Sequence, residues 1–267
     1  MVLLIDFDSI LYTSVYKIVG IGAIRDALEK YGKDGAKQWF LEEVLNEGVN
    51  RCENELLKIQ NYVDSQILED VTGVELFITT CSKSFRKELA PTYKSSRKKN
   101  NYVWMLRSHY QMSGAHFSDT LEADDLIAIR AKELGKDNCI VISIDKDLKQ
   151  IGGYYWSYYK TRSKDNDGNF IMNDFGFYDT EYKQKTVAYI TDEEADTLFW
   201  GQMLTGDSGD DIKGLHRVGI KTAEKILLNT NCNWFAVARE YIKRNQKQDF
   251  KLNYKLLRLV DNGVINN

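Results

Sequence analysis

The stretch Leu121 to Leu148, LEADDLIAIRAKELGKDNCIVISIDKDL, constrains the fold more than any other part of the chain. Cys139 to Ile144 is a near-continuous β-branched run, the pattern of a strand covered on both faces, and such strands belong to parallel sheets flanked by helices. Ahead of it, Leu126, Ile127, Ile129, Ala131 and Leu134 give a helix its buried side, and Gly135 supplies the stop. This order places Glu122, Asp124 and Asp125 in a first helical turn, and Asp145 and Asp147 just past the carboxyl end of the strand. In an open α/β sheet that edge is where ligands bind. Taken singly, neither set says much. Acids favour helix N-termini because the macrodipole there is positive, and Asp145-Lys146-Asp147 reads equally as a solvated turn.

Recurrence shifts the balance. Val2 to Phe7 is a short buried strand that delivers Asp6 and Asp8 at its carboxyl end. Thr205 to Leu228, TGDSGDDIKGLHRVGIKTAEKILL, opens with Asp207, Asp210 and Asp211 in a glycine-bearing loop, where carboxylates converge without helical constraint. Gly214 and Gly219 then flank a tight hairpin between helices. Backbone N–H groups at the start of the second helix, with Lys213, Arg217, Lys221 and Lys225 around them, offer a phosphate cradle. Elsewhere, residues 36–71 carry a helical period, as one long helix or two broken near Gly48. Val74 to Thr79 and Tyr154 to Lys160 read as further strands, and Asp192 to Leu204 as a helix capped by Thr191.

From Lys83 to Arg107 the charge inverts: eight basic residues stand against Glu88 in a chain whose net charge is −3. Phe85, Tyr93, Tyr102 and Trp104 are interleaved with them. The segment is either a solvated basic loop or a mobile arm whose cations hold a phosphate backbone while a ring stacks on a base. The tail from Asn233 to Val260 adds a second basic, or simply solubilising, surface.

With 267 residues and 43% hydrophobic content, the chain suits one large α/β domain with an appendage, or two small domains. There is no apolar run long enough for a bilayer and no signal-peptide pattern, and Cys52, Cys81, Cys139 and Cys232 form no C-x-x-C, so a reduced, cytoplasmic protein is expected. His109, His116 and His216 are too scattered for zinc, which leaves oxygen ligands for any metal. Two carboxylates about 4 Å apart repel by roughly 4 kcal/mol at an effective dielectric of about 20. If Asp6, Glu122, Asp124, Asp125, Asp145, Asp147, Asp207 and Asp210 share a pocket, they need cations. The ligand chemistry points to Mg2+ or Mn2+, with enough ligands for two ions. Negative charge at the chemistry and positive arms around it is the layout a phosphodiesterase needs.

The order of Asp6, then FRKELAPTYKSSR at 85–97, E-A-D-D at 122–125, S-I-D-K-D at 143–147 and GDSGDDIKGLHRVGIKTA at 206–223 resembles the 5′ nuclease superfamily. Within it, the bacteriophage 5′-to-3′ exonucleases are the nearest in motif. The resemblance implies an α/β, PIN-like domain over residues 1–204, with a mainly parallel sheet and a basic helical arch at 82–111, followed by a helix-hairpin-helix DNA-binding region at 205–267. It assigns Glu122 and Asp124 to a first metal, with Asp6 and Asp125 in support through water, and Asp145, Asp147, Asp207 and Asp210 to a second. It gives Lys94 and Arg97 the scissile phosphate, with Arg86, Lys87, Tyr93 and Lys98 as further DNA contacts. Gly214, Val218, Gly219, Ile220, Lys221 and Thr222 match the DNA-gripping hairpin, where K+ often binds. The implied substrate is DNA with a 5′ end or flap, or an RNA/DNA hybrid. One departure stands out: Cys81 occupies the likeliest position of an aspartate that the family usually places after the second strand. Two rivals remain. A haloacid-dehalogenase-like phosphatase would use Asp6 as nucleophile and Asp8 as acid, and a DNA-binding scaffold of the same fold would have lost turnover.

Overall fold

The long apolar runs become the strands of one sheet. A computed structural model describes residues 1–18, 21–80, 83–97, 102–165, 167–171, 180–230 and 233–260. The N-terminal strand β1 (Val2–Asp6) leads into α1 (Asp8–Ile18) and α2 (Ile21–Asp64), then β2 (Gly73–Phe77). The basic segment holds α3 (Phe85–Leu89) and α4 (Val103–Met112). Next come α5 (Ala123–Leu134), β3 (Cys139–Ile142), a 3-10 turn (Lys146–Ile151), β4 (Gly153–Trp156) and the short strands β5 (Lys160–Arg162), β6 (Thr180–Tyr182) and β7 (Ala188–Ile190). The chain closes with α6 (Asp192–Thr205), β8 (Gly206–Asp207), β9 (Ile212–Lys213), α7 (Ile220–Leu228), α8 (Asn233–Lys243) and α9 (Lys247–Leu257).

The main sheet has the order β2-β1-β3-β4-β7. Its first four strands are parallel, and β7 joins β4 antiparallel at the edge. Connections leave β1 and β3 in opposite directions, so a crevice opens between their carboxyl ends. Asp6 ends β1 there, and Ser143 to Asp147 follow β3. Alternate side chains of β1 serve different cores, as the two-residue period of a strand requires. Leu3 and Ile5 pack with Ile140, Ile142 and Trp156 against α1, α2 and α4, while Leu4 packs with Val141, Phe77 and Tyr155 against α5. A third core gathers Phe199, Trp200, Met203 and Leu204 of α6 with residues of α7, α8 and α9.

Three local expectations change. The helix over 21–64 kinks at Gly32, which has φ 67°, and passes through Gly48, where an added Cβ would lie 3.0 Å from Leu106. Gly48 thus serves close packing of α2 on α4. The run Tyr154 to Lys160 divides between β4 and β5. The described parts of the basic segment are no free arm: Ala90 and Tyr93 belong to the third core, and Val103, Leu106 and Tyr110 to the first. Among the described residues no helix is long and apolar enough to cross a membrane, and Cys52 and Cys139 are buried free thiols.

Candidate active site

Asp6 is buried where β1 ends, and the Ser143 hydroxyl donates to its Oδ2 at 2.7 Å. That hydroxyl also accepts the backbone N–H of Asp145 at 2.9 Å, so one serine ties the ends of two neighbouring strands together. Asp145 caps the following 3-10 turn by accepting the N–H of Asp147 at 2.9 Å. Burial, then the charges of Asp8 and Asp145, push Asp6 up to about 7. Asp147 is likewise pushed up to about 7, by burial and then by Asp145, with Asp207 adding to it. Asp124, in the first turn of α5, stands well above the carboxylate range because of burial and the charges of Asp6, Asp145 and Glu122. Glu122, Asp124, Asp6, Asp145, Asp147 and Asp207 therefore form a chain of mutually repelling carboxylates along the sheet edge.

The basic segment meets this chain at one end. Lys94 Nζ lies 2.5 Å from Glu122 Oε2 and 3.6 Å from Asp210 Oδ2. The Tyr93 hydroxyl stands between the same two acids, 3.0 Å from Glu122 and 3.1 Å from Asp210, and Arg97 pairs with Asp210. Burial alone would lower the Lys94 ammonium, but Glu122, Asp124 and Asp210 hold it above its ordinary value. Burial would raise Glu122, yet Lys94 and Arg86 keep it below the carboxylate range. Lys94 adopts φ 52°, and its N–H donates to the Asp210 carbonyl at 3.0 Å, which fixes the turn that aims its side chain inward.

In the loop after α6, Asp207 Oδ1 accepts the N–H groups of Gly209 at 2.7 Å and Asp210 at 3.3 Å, and Asp210 links this loop to the basic segment. Burial opposes its charge, but these donors hold the carboxyl below its usual range. The Gln202 amide of α6 donates to Asp147 at 2.7 Å and to Asp207 at 3.0 Å. Gln202 is singled out by none of the sequence patterns above, and Ser143 enters them only as the first residue of S-I-D-K-D. The signal that could have found Gln202 is a lone amide inside the apolar helical run LFWGQML, directly before an acidic loop.

Other predicted positions fall differently. Asp125 is fully buried and turned away from this chain of acids, with Arg86 donating to its two oxygens at 2.5 and 2.7 Å. The N–H of Val260 reaches the same carboxylate at 3.0 Å and that of Glu122 at 3.3 Å. The reason is helical geometry: successive residues of α5 point about 100° apart, so Asp124 faces the sheet edge and Asp125 the interior. Arg86, only 3% exposed, is correspondingly an internal clamp and not a DNA contact. Asp8 accepts Arg107 at 2.8 and 2.9 Å and the N–H of Thr79 at 3.1 Å, which removes it as a free acid beside Asp6 and with it the phosphatase arrangement. Lys87 is exposed and Tyr93 buried. Gly214 packs against the backbone of Thr205 and Gly206, where an added Cβ would lie 2.2 Å from the Thr205 carbonyl carbon. Val218 is buried, whereas Gly219, Ile220, Lys221 and Thr222 stand exposed at the start of α7. Lys98 and Cys81 lie outside the described residues.

Among the described residues, no three His, Cys, Asp or Glu side chains close on one point as a finished metal cage. The expected single pocket is instead a string of acids interleaved with Lys94, Arg97 and the Gln202 amide, since like charges separate or take up internal partners. The donor set nevertheless fits a hard divalent cation: it is all oxygen, and the burial and mutual repulsion that raise Asp6, Asp124 and Asp147 are what such a cation offsets.

No protein-family model matches the chain. It is 26% identical over 221 residues to DNA polymerase I of Borreliella burgdorferi, which covers 73% of this chain and 22% of that protein's length. The fold is shared with the D15 protein of T5 co-crystallised with metal ions, at TM-score 0.63 and 13% identity over 97% of this chain and 89% of that one. A bacteriophage T5 D15 flap endonuclease complex with DNA and metal ions gives TM-score 0.58 at 13% identity, and T5 5′-exonuclease with bound zinc gives 0.57 at 12%. These span 97% of this chain and 89% of the T5 chains.

Proposed function

For a chain that carries the 5′ nuclease fold, we propose a divalent-metal-dependent nuclease acting on phosphodiesters at the 5′ ends or 5′ flaps of DNA. The observation that carries this reading is the string of carboxylates at the sheet edge, ending on Lys94 and Arg97. Glu122 and Asp124, supported by Asp6, would hold one Mg2+ or Mn2+ ion, and Asp145, Asp147, Asp207 and Asp210 a second. Bound there, divalent ions supply Lewis acidity and neutralise the charge that develops in phosphodiester hydrolysis.

The chain's own residues do the rest. Ser143 orients Asp6 and Asp145 together. Lys94 and Arg97 are the cations nearest the acids, and a scissile phosphate entering at that end exchanges a carboxylate partner for a phosphate one. The exposed start of α7, with Gly219, Ile220, Lys221 and Thr222, presents helix N-terminal N–H groups to a duplex backbone and suits a K+-bridged phosphate contact. The cytoplasm is the expected place of work.

The test is incubation of labelled blunt-duplex, 5′-flap and RNA/DNA hybrid substrates with Mg2+, alongside EDTA and Asp145→Ala controls. Mg2+-dependent products from 5′-ended strands, absent with Asp145→Ala while DNA binding persists, support the reading. Intact DNA at high protein concentration, with binding retained, replaces it with a binding scaffold.

A further inference from the structure

The carboxylates at one end of the site are held by a neutral residue. Gln202 uses both protons of its amide on acids, one on Asp147 at 2.7 Å and one on Asp207 at 3.0 Å. Its carbonyl accepts the Gln150 amide at 3.0 Å, and that amide also lies 3.4 Å from the Leu257 carbonyl. This relay settles which way each amide points. A flipped Gln202 would turn its oxygen on two carboxylates and its NH2 on another NH2. Among the described residues the Gln150 oxygen is buried without a partner, an unfavourable arrangement that persists only if it is held from elsewhere.

We propose that Gln202, with its amide fixed by Gln150, is a positioning residue that sets Asp147 and Asp207 as a matched pair of ligands for one divalent cation. The proposal rests on the nuclease reading for its purpose, but its geometry is independent of the substrate. Asp147 follows β3 and Asp207 follows α6, so no local turn fixes their separation. A lysine or arginine at position 202 would bind both acids more strongly, but it would also supply the positive charge that a metal brings. An amide holds two carboxylates without neutralising them and leaves oxygen lone pairs for a metal. The Gln202 amide is spent on Asp147, Asp207 and Gln150, so it acts through the two aspartates.

The experiment measures Mn2+ binding to the full chain by calorimetry and by electron paramagnetic resonance, beside the Mg2+ concentration that gives half-maximal cleavage. Wild type is compared with Gln202→Met, which keeps the length and removes the hydrogen bonds, and with Gln150→Leu. Loss of such a support costs about 10–100-fold in metal affinity. Gln202→Met should weaken one Mn2+ site by about that factor and raise the Mg2+ midpoint in parallel, with the cleavage rate restored at saturating metal. Gln150→Leu should produce a smaller change in the same direction. If Gln202→Met melts earlier without metal but binds Mn2+ as wild type does, the role is structural and the proposal fails. Should Gln202→Met not fold, unchanged Mn2+ affinity in Gln150→Leu overturns it as well. A wild type that binds Mn2+ but cleaves no 5′-ended substrate defeats the nuclease reading while the shift in Mn2+ affinity still decides the positioning role.

Discussion

Breaking the Arg86–Asp125 pair should be the most damaging single change away from the site. Asp125 is 0% exposed and Arg86 3%, and the guanidinium also donates to the carbonyls of Leu256 at 2.8 Å and Arg258 at 3.1 Å. Asp125→Ala strands a cation that has no solvent and cannot lose its proton. Removing one partner of a buried pair costs about 3–5 kcal/mol. At about 2–4 °C per kcal/mol for a protein of this size class, the midpoint of thermal unfolding should fall by about 6–20 °C. Arg86→Met should cost less, because the Asp125 carboxylate keeps the N–H groups of Val260 and Glu122 as partners. In the double variant Arg86→Met with Asp125→Ala, the loss should be smaller than the sum of the two single losses by about 1 kcal/mol or more. Urea unfolding of all four proteins measures this. A loss below about 1 kcal/mol for Asp125→Ala, or strict additivity, would refute the claim that the pair is a coupled internal clamp.

In EDTA, Asp6 and Asp147 keep protons in the folded chain up to about pH 7 that an unfolded chain releases near pH 4. A raised carboxyl stabilises the fold below its unfolded pKa and loses that contribution as pH rises through the folded one. The metal-free melting temperature should therefore fall between about pH 4 and 7, and Mg2+ should flatten the dependence. Melting curves that rise with pH in EDTA across this window would contradict it. Replacing Lys94 and Arg97 by alanine should weaken DNA binding and reduce the slope of log affinity against log salt by about 0.9 for each phosphate that is no longer neutralised. An unchanged slope in fluorescence anisotropy titrations removes both from the phosphate path.

What the sequence makes legible is whatever backbone periodicity and spacing encode. Buried parallel strands are apolar runs, so β1 and β3 stand out, and each leaves its acids at or just past its end. The Thr191 cap of α6 is legible for the same reason, because Glu194 completes its reciprocal bonds. Side-chain direction is not legible. Asp124 and Asp125 are indistinguishable as letters, and only the helix phase sends one to the sheet edge and the other inward. Arg86 sits among seven other cations and looks like surface until α9 is found closing over it. Gln150 and Gln202 are 52 residues apart, and no local pattern pairs them.

The backbone amide of Val260 ends on Asp125, in the same helical turn that carries Glu122 and Asp124, although it is 135 residues away along the chain. That single N–H is a natural reporter. Its exchange with deuterium should slow when a divalent ion stiffens the turn and quicken when the turn is loosened, so occupancy of the acidic edge can be followed from the far end of the polypeptide. Exchange at Val260 that ignores added Mg2+, while amides around Asp145 respond, would show the two ends to be mechanically separate.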